Sequence, residues 1–196
     1  KKGMVTMVFQ PIVDVPSRRV VACEALGRGR HPHLPESPVE LFDIAAEIGA
    51  KAQAELSRLF RRKAVELARE REEMPTIFLN THPIELERPG LLESLDELRE
   101  FAPHLDLALE IHESVLTRPA HMAELRAWLQ ERTIALAYDD FGAGQARLLE
   151  LAEVTAGDPV ADVGAGTFTT SGFTVAALGS DRKRVVGGKR VGLGGR

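Results

Sequence analysis

Ile134-Ala135-Leu136-Ala137-Tyr138-Asp139-Asp140-Phe141-Gly142-Ala143-Gly144 is the stretch on which the fold of this 196-residue chain turns. A short apolar run stops at two adjacent carboxylates, and a turn with two glycines follows. The run has the length of a buried strand. The glycines let the backbone beyond it take positive φ or approach another group closely. Successive side chains on a regular strand point to opposite faces. Asp139 and Asp140 can therefore serve one site only where the strand gives way to the loop, a geometry that suits divalent cations. Standing alone, an Asp-Asp pair is more simply a solvated acidic loop. Recurrence of the pattern upstream decides between the two readings.

Upstream the pattern does recur. Residues 4–14 (MVTMVFQPIVD) predict a strand with Gln10-Pro11 near its end, and 20–26 (VVACEAL) predict a second, interrupted by Glu24. A carboxylate inside an apolar strand is costly unless it is paired, protonated or bound to a cation. Arg28 and Arg30 follow closely, and either could pair with Glu24 or bind phosphate. Ser37-Pro38-Val39-Glu40 has the form of a capping box with proline at the first helical position. The helix it starts carries Leu41, Ile44, Ala45 and Ile48 on one face, and Gly49 breaks it. A second helix over 50–70 places Leu56, Leu59, Phe60 and Leu67 at helical spacing, its many Arg and Glu residues reading as a solvated outer face.

A third strand, 76–80, ends in Asn80, with Pro83 stopping any continuation, and a helix over 91–101 follows. A fourth strand, 105–111, carries Glu110 near its end, with Glu113 three residues on. The helix over 119–131 turns Met122, Leu125 and Leu129 inward with Trp128 alongside. The opening stretch is the fifth strand, and 145–153 starts a further helix. Such alternation is the pattern of an α/β protein with a largely parallel sheet. Glu24, Asn80, Glu110, Asp139 and Asp140 all fall at or near the ends of apolar strands. In a (β/α) barrel those ends form the face that carries the chemistry.

Four carboxylates and an amide oxygen form a hard ligand set, suited to Mg²⁺ or Mn²⁺ rather than to a thiolate zinc site. Converging carboxylates repel one another severely without cations between them, and the charge count favours two ions. Two cations about 3.5–4 Å apart are a recurrent device for hydrolysing phosphate esters. The histidines add little: His31 and His33 flank a proline, His82 follows Asn80, His112 lies between Glu110 and Glu113, and none has metal-ligand spacing to another. Tyr138 and Trp128 read as core rather than as substrate-stacking residues.

Composition sets outer bounds. A hydrophobic fraction of 44% and a charged fraction of 28% are those of an ordinary globular protein. The net charge of −4 argues against non-specific binding to nucleic acid. The lone Cys23 rules out an internal disulfide and fits a reducing compartment, so a cytoplasmic location is expected. No apolar run approaches the roughly 18 residues of a membrane span, and no signal peptide opens the chain. Lys1 in place of methionine suggests an excised piece of a longer protein.

Taken together, Gln10-Pro11-Ile12-Val13, Glu24-Ala25-Leu26, Asn80-Thr81-His82-Pro83, Glu110-Ile111-His112-Glu113-Ser114 and Asp139-Asp140-Phe141-Gly142-Ala143-Gly144 resemble, in order and approximate spacing, the EAL domain. The resemblance covers about residues 4–155. That family comprises cyclic di-GMP phosphodiesterases of bacterial signalling. The resemblance implies a modified TIM (β/α) barrel, here cut off after about the fifth strand, whose first strand runs antiparallel to the others. It implies two Mg²⁺ or Mn²⁺ ions held by Glu24, Asn80, Glu110, Asp139 and Asp140. Gln10 and Arg28 would contact the dinucleotide, and Glu113 would brace the loop starting at Phe141, close to the metals and to a homodimer surface. The implied reaction opens one phosphodiester to give linear pGpG. Gly29 departs from the family, where a tryptophan commonly stands.

A larger departure follows Val154. The Lys-x-Asp strand, whose lysine helps activate the attacking water, and the Glu-Gly-Val-Glu and Gln-Gly segments expected of the family are missing from 155–196. The stretch is rich in glycine, has no convincing periodicity and is expected to be disordered or poorly packed. Its end, from Asp181 to Arg196, resembles the translation of a sequencing adapter, and a frameshifted or truncated gene is the leading explanation for the stretch. The alternative, a basic tail for nucleic acid or anionic membranes, is the weaker reading. Two hypotheses follow for the parent protein: an active phosphodiesterase, or a non-catalytic cyclic di-GMP receptor or interaction module. Five strands of a barrel leave an open edge and a half-exposed core. The chain alone is therefore expected to be unstable and inactive.

Overall fold

The computed structural model describes residues 3–14, 17–71, 73–112 and 119–139, with four short segments at 160–162, 167–170, 173–176 and 184–186. For 119–121, 138, 139 and the four segments it describes the backbone alone. The elements run β1 (Val5–Asp14), β2 (Arg19–Gly29), α1 (Pro38–Ile48), α2 (Ala50–Arg69), β3 (Thr76–Thr81), a 3-10 turn (Pro83–Glu85), α3 (Leu91–Phe101), β4 (Leu107–His112), α4 (Pro119–Glu131) and β5 (Ile134–Asp139). The sheet order is β1-β2-β3-β4-β5. β1 is antiparallel to β2, with Val5 opposite Gly29 and Asp14 opposite Arg19, and the remaining pairs are parallel. The expected α/β sheet with a reversed first strand is therefore present. Two antiparallel pairs, Val160–Asp162 with Arg184–Val186 and Thr167–Thr170 with Phe173–Ala176, complete the described strands. The helix expected over 145–153 lies outside the described residues.

The period-2 alternation of each strand sorts its side chains between two faces. Cys23, Ile77, Leu79, Leu107, Leu109, Ile111, Ile134 and Leu136 belong to a large core that includes Ala64, Ala68, Leu95, Leu98 and Leu129 from the helices. Parallel strands need such cover, because their connecting helices fall across the sheet. Ile12, Ala22, Phe78, Ala108 and Ala137 form a separate apolar layer on the opposite face. Phe78 is its one large ring, among residues that are mostly alanine.

Two local expectations need correcting. α1 begins at Pro38 as predicted, but the Ser37 side chain makes no capping bond. Instead the Ser37 carbonyl accepts from Leu41 N–H at 3.2 Å, an ordinary first-turn bond. The second concerns α2, whose buried face is Ala54, Ser57, Phe60, Arg61, Ala64, Val65 and Ala68. Leu56, Leu59 and Leu67 only pack at its margin. Small residues dominate the buried face because α2 lies close against the sheet, and a charged Arg61 lies in the middle of it rather than on a solvated face. Between the two helices Gly49 sits at φ 126°, where a Cβ would be strained. Its N–H bonds Ala45 O and its carbonyl accepts from Ala52, ending one helix and starting the next within one residue.

Candidate functional site

On the face that carries the alanine-rich layer, β2, β3 and β4 each add one further residue toward the carboxyl end: Glu24 after Ala22, Asn80 after Phe78 and Glu110 after Ala108. Glu24 lies opposite Phe78 and also opposite Gln10 of the reversed strand, and Asn80 lies opposite Glu110. Adjacent strands are about 4.8 Å apart, so Glu24, Asn80 and Glu110 occupy three neighbouring strands within roughly 10 Å. Glu24 and Glu110 are each 2% exposed. Asn80 Nδ2 donates to Glu24 Oε1 at 2.8 Å. Phe78, Ala108 and Ala137 floor this group, which keeps water out from below and lowers the local dielectric.

The group opens into a cavity of about 450 Å³, lined among others by Phe42, His82 and His112 together with Glu24, Asn80 and Glu110. That volume is in the range of small-ligand sites. His82 stacks on Phe42, ring centroids 4.7 Å apart, and its Nδ1 accepts from Ile84 N–H at 3.3 Å. Its pKa is pushed below the usual histidine value chiefly by burial, with nearby Glu85 opposing the shift. His82 thus caps the 3-10 turn as a neutral ring. Cys23, next to Glu24 in sequence, sits on the helix-covered face, and burial raises its thiol to about 11 against a smaller lowering by Arg71. It is a protonated core residue.

The two cations implied by the resemblance can be tested against this donor set. Asn80 uses its N–H end on Glu24, which leaves Oδ1 as the end a cation takes. Two nearly enclosed carboxylates and an amide oxygen, with no thiolate among them, fit a hard divalent ion. Among the described residues no three His, Cys, Asp or Glu side chains converge as a cation-binding group. Asp139 is placed only by its backbone, opposite His112, two residue pairs beyond Ala137 and Glu110. Asp140, Glu113 and the loop starting at Phe141 lie outside the described residues. The structure therefore brings together Glu24, Asn80 and Glu110, with Gln10 half-buried beside them. Arg28 is half-buried two repeats of the pleat further along β2, its Nη1 donating to Gly27 O at 2.7 Å. Trp128 packs on the core under Arg132, as expected of a core residue.

One part of the site was not foreseen. Arg61 is 1% exposed and Glu85 0%, and they pair through two parallel bonds, Nη1 to Oε1 and Nη2 to Oε2, both 2.6 Å. Arg58 Nε joins Glu85 at 3.3 Å. Arg61 Nη1 also donates to Ser57 Oγ at 3.1 Å and makes a long 3.5 Å contact with Asn80 O. Ser57 Oγ in turn accepts His82 N–H at 3.1 Å. The sequence did hold a signal for it: positions 54, 57, 61, 64 and 68 form one helical stripe, small everywhere except at Arg61.

An α/β barrel-type sheet with a reversed first strand and an enclosed oxygen-donor site at its strand ends is the class this fold and site define. The chain belongs to the EAL domain family, whose model matches residues 1–157. It is 29% identical over 160 residues to the probable cyclic di-GMP phosphodiesterase PdeN of Escherichia coli K12, covering 79% of this chain and 31% of that protein. Klebsiella pneumoniae BlrP1, solved at pH 6 with manganese and cyclic di-GMP, superposes with a TM-score of 0.64 at 25% identity over 76% of this chain and 38% of that one. The PaMucR phosphodiesterase, solved as a cyclic di-GMP complex, gives 0.63 at 21% identity over 76% of this chain and 66% of that one, a likeness of fold. The chain spans between 24% and 38% of the length of the curated relatives it matches. Among the described residues no helix is long and apolar enough to cross a membrane.

Proposed function

We propose that this chain supplies the metal-holding strands of a phosphodiesterase that hydrolyses cyclic di-GMP to linear pGpG. The observation that supports it most is the grouping of Glu24, Asn80 and Glu110 on adjacent strands, with Asn80 bonded to Glu24 at 2.8 Å. Glu24, Asn80, Glu110, Asp139 and Asp140 would hold two Mg²⁺ or Mn²⁺ ions. When bound, the ions would lower the pKa of a water and offset charge on the phosphate. The chain's own residues do the positioning. Buried Glu24 and Glu110 would fix where the cations sit, and so where the negative charge of the phosphodiester would be offset. The apolar floor excludes bulk water, so that each carboxylate interaction is strengthened. Gln10 and Arg28 would contact the dinucleotide, the guanidinium being suited to a phosphate or a guanine edge. Glu113 would brace the loop from Phe141, near the surface through which a longer form would dimerise. A cytoplasmic setting is consistent with a cyclic dinucleotide substrate and a single unpaired thiol.

Titration of the chain with Mn²⁺, followed by electron paramagnetic resonance, tests the site. Saturable binding lost in Glu24→Ala and weakened in Asn80→Ala supports it; equal binding by Glu24→Ala would refute it. Incubation with cyclic di-GMP and Mn²⁺, with chromatography for linear product, tests the chemistry. The isolated chain is expected to show no turnover, and turnover abolished by Glu24→Ala would overturn that expectation while upholding the site. Binding of cyclic di-GMP without turnover by a longer form would favour the receptor reading instead.

A further inference from the structure

We propose that Arg61, Glu85 and Ser57 are positioning residues that set the geometry of Asn80 as a metal ligand. The inference rests on the two-cation reading of the site. Asn80 is the next-to-last residue of β3: pairing with β2 has ended at Leu79, pairing with β4 ends at Thr81, and the 3-10 turn begins at Pro83. Its side chain must present Oδ1 to a cation while Nδ2 stays on Glu24. That demands a fixed backbone in a place where the sheet holds it from the β4 side alone. The peptide groups on either side of Thr81 are held in addition from α2. Arg61 contacts the carbonyl of Asn80, and Ser57 Oγ accepts the N–H of His82. Ser57 and Arg61 are four residues apart, hence on one helical face, and are bonded to each other at 3.1 Å.

The far side of the clamp is anchored as firmly. Glu85, in the 3-10 turn itself, takes both Nη atoms of Arg61 and the Nε of Arg58. The loop after Asn80 is thus pinned to α2 at its start and at its end. Burial is hard to explain as stability alone. A fully enclosed ion pair surrenders hydration that its mutual attraction often fails to recover, and apolar replacements are frequently neutral or stabilising. Here Arg61 Nε is also buried with no acceptor among the described residues. Residues that orient metal ligands are the familiar setting for this kind of expensive polar network, and their loss typically weakens metal affinity 10- to 100-fold.

The test replaces the pair in the 196-residue chain by apolar groups of similar length, Arg61→Met with Glu85→Met. Three quantities are measured: the Mn²⁺ dissociation constant by electron paramagnetic resonance, the urea midpoint, and the ¹H–¹⁵N side-chain amide resonances of Asn80 without metal. A positioning role predicts an unchanged or higher midpoint, Mn²⁺ binding weakened about 10-fold or more, and Asn80 amide signals that broaden or collapse as its bond to Glu24 loosens. Unchanged Mn²⁺ binding and Asn80 signals, whatever the midpoint does, would overturn the proposal. Should the double variant not fold, Ser57→Ala keeps the ion pair and removes only the acceptor for His82 N–H. It should shift the Asn80 amide and weaken Mn²⁺ binding in the same direction; no shift in either refutes the clamp. If the unsubstituted chain binds no Mn²⁺, the two-cation reading fails, and the Asn80 resonances alone judge the positioning claim.

Discussion

Restoring the tryptophan common among EAL domains at position 29 should harm this chain, and alanine should harm it nearly as much. Gly29 ends β2, and the following loop folds back so that the Pro35 carbonyl lies where a Cβ would go. The obstacle is backbone, with Leu34 Cβ close behind it, so no side-chain rotation relieves the clash. Ordinary carbon contacts need about 3.5–4.0 Å, and Pro35 would have to withdraw by roughly 1 Å or more. Overpacking of this kind costs about 1–3 kcal/mol. Withdrawal also breaks Gly29 N–H to Glu36 O, 3.1 Å long, for about 1 kcal/mol more. With a urea m-value of about 2 kcal/mol/M, a loss of about 2–4 kcal/mol moves the midpoint down by roughly 1–2 M. Equilibrium urea unfolding of Gly29→Ala and Gly29→Trp measures this. A midpoint for Gly29→Ala within about 0.2 M of the parent would show that the loop accommodates a Cβ, and the steric account would be wrong.

Leu95 is fully buried in the helix–sheet core. Leu95→Ala should therefore cost about 2–5 kcal/mol in urea unfolding, and a loss below 1 kcal/mol would indicate that the core relaxes around the gap. Cys23 has its folded pKa raised from 9.0 to about 11, so the folded chain retains a proton that the unfolded chain releases. Its contribution to stability is constant below pH 9 and declines as pH rises from there through about 11. Disulfide-exchange reagents at pH 8 should modify it only as fast as the protein opens, and immediate modification in native buffer would contradict its burial.

The strand-end pattern was legible because it depends on short-range chemistry. Apolar runs ending in Glu24, Asn80 and Glu110 define both the sheet and the edge where the site lies, and register follows once the runs are paired. What the sequence concealed was set by distance in the chain. Arg61 and Glu85 are 24 residues apart, so although the stripe of small residues marks Arg61 as facing the sheet, nothing local names Glu85 as its partner. The leucines of α2 drew the helical face toward 56, 59 and 67, whereas close approach to the sheet favoured the alanine stripe. Ser37 shows the converse: the right residues for a capping box were present, yet the side-chain bond did not form, because Pro38 and the first-turn backbone bond suffice to start α1.

The reversal of β1 has a consequence for how this domain can be wired to others. Because Val5 pairs with Gly29, the chain enters the sheet at the end where Glu24, Asn80 and Glu110 gather, and Met4 O accepts from Arg30 N–H at 2.9 Å just beside that rim. A polypeptide joined ahead of residue 5 is thereby tethered within a few residues of Arg28. Had the first strand been parallel to its neighbours, ten residues at about 3.4 Å each would have put the same attachment roughly 30 Å away, at the opposite end. Pull or twist on such a tether is delivered to the mouth of the cavity rather than to its base.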